Sequence, residues 1–158
     1  HELGVFFERD GYDHITLAKF PHSWIAGGAD PLLQTEPYGS PTPGSGGVSP
    51  TLHTLGSSEA GGNITLEVQN AAPLVRAFFA DSKNRTMATM NGCTLLVEPP
   101  FLAVFPLTTD ASGTGHLDFS IPPHVTGNSV CVQAGILDPG APSGSGWSST
   151  DAVQIWFH

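Results

Sequence analysis

Apolar and polar positions alternate in several short segments of the chain. Ile64, Leu66 and Val68 alternate with Thr65, Glu67 and Gln69. A period of two places one set on a buried face of an extended strand and the other toward solvent. The pattern returns at Leu117, Phe119 and Ile121, at Val130, Val132 and Ala134, and at Val153, Ile155 and Phe157. Outward positions in those segments fall to His116, Asp118, Ser120, Cys131, Gln133, Gln154 and Trp156. The runs 75–80, 93–97 and 101–107 are more continuously apolar, as expected of central strands or strand pairs at a corner. No window of a dozen residues carries a 3.6 period. Short strands punctuated by Gly and Pro predict an all-β fold, an antiparallel β-sandwich of Ig-like or jelly-roll-like kind.

The first residues read differently. Leu3 to Phe7 is apolar, Glu8-Arg9-Asp10-Gly11 supplies a turn, and His14 to Phe20 resumes as a strand. This is the signature of a β-hairpin. Residues 38–50, rich in Gly, Pro and Ser, have no periodicity and read as a linker or extended arm. The expected organisation is a hairpin extension over 1–37, a linker over 38–50 and a sandwich domain over 51–158.

Composition narrows the function. Among 158 residues, 19 are Gly and 14 Pro, and Lys plus Arg number 5 against 14 acids. The formal charge of −9 argues against a nucleic-acid partner, which demands clustered Lys and Arg. It argues equally against anionic membrane surfaces. No apolar run is long enough for a membrane span. Beginning at His1 rather than Met, the chain reads as processed, or as a piece of a longer exported protein.

Several short motifs occur in order. They are Tyr38-Gly39, Pro43-Gly44-Ser45-Gly46-Gly47 and Pro50, then Gly62 leading into Ile64-Thr65-Leu66-Glu67-Val68, then Gly92-Cys93-Thr94-Leu95. Asp110-Ala111-Ser112-Gly113, Ile121-Pro122-Pro123, Gln133-Ala134 and Leu137-Asp138-Pro139 complete the series. On these residues 38–157 resemble a β-sandwich module found near the C-terminus of large secreted proteins of planctomycetes and similar bacteria. The resemblance implies a small sandwich on an exported protein and carries over no catalytic residue.

Cys93 and Cys131 are the two cysteines. In an oxidising compartment they are expected to form a disulfide, worth about 4 kcal/mol for a loop of that length. His1, one of seven histidines, offers an amine and a ring nitrogen to copper, but no spacing selects a second histidine. Glu8, Asp10 and Asp13 crowd one turn, where calcium is the alternative to a solvated loop. Asn63-Ile64-Thr65 and Asn84-Arg85-Thr86 match the N-glycosylation pattern. Trp24, Trp147 and Trp156 are candidate glycan-stacking residues, against the alternative that the N-terminal segment covers Trp147 and Trp156. No nucleophile elbow or phosphate loop is present, so the chain is not expected to be an enzyme, and no cofactor is required.

The leading expectation is a non-catalytic, secreted or cell-surface structural module that self-assembles into an oligomer or filament. A carbohydrate- or surface-binding adhesion module is the second reading, and a His1-dependent copper protein the third. Leu3, Val5 and Phe7, with Ile15 and Leu17 on the returning strand, are the expected assembly residues, because a lone hairpin needs a surface to pack on.

Overall fold

A computed structural model describes the backbone of residues 2–9 and 14–21 and the whole of residues 33–158. The chain divides into two compact units, His1–Leu32 and Leu33–His158. In the first, β1 (Glu2–Arg9) pairs antiparallel with β2 (His14–Pro21). The register opposes Leu3 to Phe20, Val5 to Ala18 and Phe7 to Thr16, whereas Leu17 opposes Phe6 and Ile15 opposes Glu8. The two expected apolar rows are therefore not register partners. His1, Asp10, Asp13 and Trp24 lie outside the described residues.

The second unit is an antiparallel β-sandwich. One sheet has five strands in the order β3 (Gln34–Tyr38), β12 (Trp147–Trp156), β11 (Ser129–Leu137), β6 (Arg76–Ser82), β9 (Ala103–Thr108). The facing sheet has three strands in the order β10 (Gly115–Ser120), β5 (Asn63–Gln69), β4 (Thr51–Gly56). The hairpin of β7 (Arg85–Met90) and β8 (Cys93–Val97) forms a third sheet. Its tight turn runs through Asn91 and Gly92, both at positive φ (50° and 74°), as an Asn-Gly hairpin turn requires.

Alternation in sequence becomes layering. Ile64, Leu66 and Val68 pack with Phe79, Val132, Ile136 and Ile155 in the core between the two large sheets. On β11 the alternation fails, since Val130 through Ala134 are all buried. Cys131 and Gln133, expected to face solvent, are 0% and 3% exposed, because the β7–β8 hairpin covers the outer face of the five-stranded sheet. Gln133 holds that cover in place. Its Oε1 accepts from Leu96 N–H at 2.9 Å, and its Nε2 donates to Thr94 O and Thr150 O, each at 2.9 Å.

Residues 38–50 are part of the sandwich rather than a linker, and β3 belongs to it as well. Thr42 bridges Ser149. Thr42 Oγ1 accepts from Thr94 N–H at 2.9 Å, and the Ser45 N–H donates to Asp138 Oδ2 at 2.6 Å. The segment has no periodicity because side chains and single bridges, not a ladder, satisfy its backbone. Gly39 (φ 72°) shows why no side chain is tolerated there, since a Cβ would lie 2.5 Å from the Leu96 side chain.

The expected disulfide is absent, and both cysteines are free and buried. Cys93 opens β8 beside Thr42 and Ser145. Cys131 lies against Tyr38, whose hydroxyl donates to Leu96 O at the other end of β8. Three residues of strand span about 10 Å, beyond the roughly 4–7 Å Cα separation a disulfide bridges. Even cysteine count and an exported context carry no information about this placement.

Gln133→Leu keeps the volume but leaves the Leu96 N–H and Thr150 O without a side-chain partner, and Thr94 O with Ser149 Oγ alone. Stability is expected to fall by about 2–4 kcal/mol, read as a shift of the urea midpoint at unchanged slope. Mass spectrometry with peptide mapping after alkylation is expected to show Cys131 unmodified without denaturant and both cysteines modified with it. A mass two protons lower, unreactive until reduced, would restore the bridge.

Candidate functional site

Two concave surfaces lie on opposite faces of the five-stranded sheet. The outer one sits under the β7–β8 hairpin, with a volume of about 270 Å³, and is lined by Phe78, Met90, Leu95, Phe101, Val104 and Trp147 among others. Phe78 and Trp147 face each other as a tilted ring pair, centroids 6.1 Å apart. The ring lies over Gly135, where a Cβ would meet it at 3.7 Å.

The inner surface is a groove of about 680 Å³ between the five-stranded sheet and β10. It arises because five strands face three. Phe105 opposes Phe79 in the β6–β9 register, so it shares the inner face, yet it is 40% exposed while Phe79 is fully buried. Phe79, Val130 and Val132 form the floor, Phe119 and Phe157 stand opposite, and Leu102 (57% exposed) lies at the rim. Among the described residues, β10 has no strand on its far side.

Asp81 is the acid in this groove. It accepts a hydrogen bond from the Ala103 N–H. Burial raises its pKa above the ordinary carboxylate range, and the bond to Ala103 opposes the shift less strongly.

A polar cluster ties the β3 edge to β7. Arg85 donates to both oxygens of Glu36 (2.7 and 3.2 Å) and through Nε to Gln154 Oε1 (2.8 Å). Its guanidinium lies 4.3 Å from the Tyr38 ring centroid. The Arg85 bond holds the Glu36 carboxyl below its usual range, and burial pushes the Tyr38 phenol well above its own. Every partner in this cluster is occupied by another, so it fastens strands together and offers no open group to a ligand.

The residues singled out from sequence fall apart in space. Trp147 and Trp156 occupy opposite ends of ten-residue β12, about 30 Å apart along a strand, so they form no common platform. Trp147 walls the outer cavity, whereas Trp156 does not reach it. Asn63 and Asn84 are exposed, but Asn63 Oδ1 accepts from Ser120 Oγ at 2.7 Å and Asn84 Nδ2 donates to Glu98 Oε2 at 2.8 Å. Among the described residues, no three His, Cys, Asp or Glu side chains gather as a metal-holding group. Sequence reasoning missed Phe105 and Asp81. The signal for Phe105 was its inward register in a run that the pattern left unresolved.

No protein-family model and no curated protein matches the chain.

Asp81 makes a signed prediction. A carboxyl with a raised folded pKa binds its proton more tightly in the native state, so stability falls as pH rises through the window above about pH 4. Asp81→Asn keeps an acceptor for Ala103 and removes the charge. The variant is expected to exceed the wild type in urea midpoint at pH 7 and to match it at pH 3. Equal midpoints at both would remove the burial effect.

Proposed function

We propose that the chain is a non-catalytic structural module of an exported, cell-surface or extracellular protein, and that it self-associates by strand addition. The observation carrying this reading is the inner face beside the edge of β10, which no strand covers among the described residues. A core floor of Phe79, Val130 and Val132 opens to solvent where a fourth strand of the smaller sheet would lie. An added strand would satisfy the unpaired backbone groups of β10 and cover Phe105 with alternate side chains.

The occupant in this proposal is β1 of a second copy. Leu3, Val5 and Phe7 supply a period-two apolar row on an eight-residue strand, and a two-stranded hairpin is marginal in water without a surface to pack on. The resemblance to modules of large secreted proteins agrees with a structural role. So does the use of polar motif residues: Gln133, Asp138 and Tyr38 all bond backbone groups of their own chain.

The test is concentration-dependent mass by sedimentation or light scattering. Full-length protein is expected to associate. The chain lacking residues 1–32, the boundary of the hairpin unit, is expected to stay monomeric with an unchanged strand-type circular dichroism spectrum. Phe105→Glu is expected to weaken association about tenfold or more, because a charge would be buried unpaired at about 1.4 kcal/mol or above. A full-length chain that stays monomeric at the highest attainable concentration overturns the proposal.

A further inference from the structure

The outer cavity is independent of strand addition, since it lies on the other face of the same sheet. Its space is created by small residues. Gly135, Ala80 and Cys93 line it where larger side chains would fill it. Its walls are aromatic and thioether: Phe78, Phe101, Trp147 and Met90.

Few polar side chains are open to a ligand there. Gln133 spends its amide on Leu96 N, Thr94 O and Thr150 O. Ser149 Oγ donates to Thr94 O at 3.2 Å. Ser148 Oγ has no partner, but it lies 3.3 Å from where a Cβ on Gly44 would sit, beside Asp138. That is the opposite side of β12 from Trp147 and Ser149, its neighbours in the strand. Thr94 and Asn91 remain, too few for a sugar, which presents a hydroxyl on nearly every ring carbon. The cavity also exceeds the void needed for one ring, since an engineered apolar cavity of about 150 Å³ holds benzene.

We propose that this cavity binds a single flat, apolar molecule of two fused aromatic rings. The ring faces would meet Phe78 and Trp147, and the sulfurs of Met90 and Cys93 would meet ring edges. The consequence for Trp147 is that its partner is an apolar aromatic and not a glycan.

The chain's two methionines make the test internally controlled. Met90 lines the cavity, while Met87 is 82% exposed and lies outside its lining. Full-length protein labelled with ¹³C at the methionine methyls is titrated with naphthalene and, separately, with N-acetylglucosamine. Naphthalene is expected to move the Met90 methyl saturably by ring current and leave Met87 in place. N-acetylglucosamine is expected to move neither. Ala80→Leu, which fills the cavity, is expected to abolish the Met90 shift. Trp147→Ala is expected to weaken naphthalene binding about tenfold, the loss of one stacked wall. The proposal is overturned if Met90 stays fixed up to the solubility limit of naphthalene in the wild type, if Met87 moves with it, or if the sugar moves Met90 as far. The wild-type titration decides the matter even where a variant fails to fold.

Discussion

The structure depends on a strand that is buried on both faces over most of its length. β11 lies at the centre of the five-stranded sheet, with the core on one side and the β7–β8 hairpin on the other. Burial on both faces means that every polar group must find a partner within the protein, or its desolvation goes uncompensated. Gln133 meets that demand by turning a side-chain amide into a stand-in for a strand. It completes hydrogen bonds of β8 and β12 that no ladder supplies. A hydrophobic residue there would fill the space, take away the side-chain partner of Thr150 O and leave Thr94 O with Ser149 Oγ alone. The β8 strand is thereby fixed at one height above the sheet, and the cavity beneath it follows from that height together with the small residues below.

The same logic runs through the other motifs. Asp138 receives the Ser45 N–H and hydroxyl and the Gly140 N–H, which closes the 44–48 turn onto the β11–β12 connection. Asp110 accepts from Ser112 and Thr114 N–H groups, and Gly113 at φ 79° leaves no room for a Cβ, which would lie 2.0 Å from Ala71 O. Residues with the look of chemistry are instead engaged in satisfying irregular backbone. A β-sandwich with long connections needs many such devices, because its loops carry N–H and C=O groups that no neighbouring strand can pair.

Much of the fold was legible in the sequence. Strands with one wet face announced themselves, and Ile64, Leu66 and Val68 are all core. Failures came where the local pattern was cancelled by a distant element. Cys131 and Gln133 read as solvent-facing because nothing near them in the chain reveals a hairpin folding back across their face. Residues 38–50 read as a linker because a segment pinned by Thr42, Ser45 and Asp138 needs no periodicity. The disulfide failed for a related reason: pairing depends on where two strands cross, and β8 places Cys93 at one end and the neighbour of Cys131 at the other. The two tryptophans shared a strand, yet strand length alone separates them. The inner groove was invisible, since a mismatch of five strands against three is a property of topology and not of any residue.

That mismatch acquires direction from the way the sheet edges are treated. An exposed edge invites pairing, and proteins block it with proline, charge or side-chain capping. β3 carries Pro37 and the Arg85–Glu36 pair. β9 carries Pro106, whose missing N–H breaks any added ladder. On β4, the Leu52 N–H is taken by Asp151 Oδ1 at 3.1 Å. β10, Gly115–Ser120, has no proline. Its named side-chain bonds, Thr65 to Asp118 and Ser120 to Asn63, run back to β5 rather than across its outer edge. Three edges are closed by distinct devices, and the fourth adjoins a part of the core that no other described strand covers. An edge without a block is a liability when it faces solvent alone, but beside an apolar floor it is a seat whose backbone pairing and side-chain burial favour the same added strand.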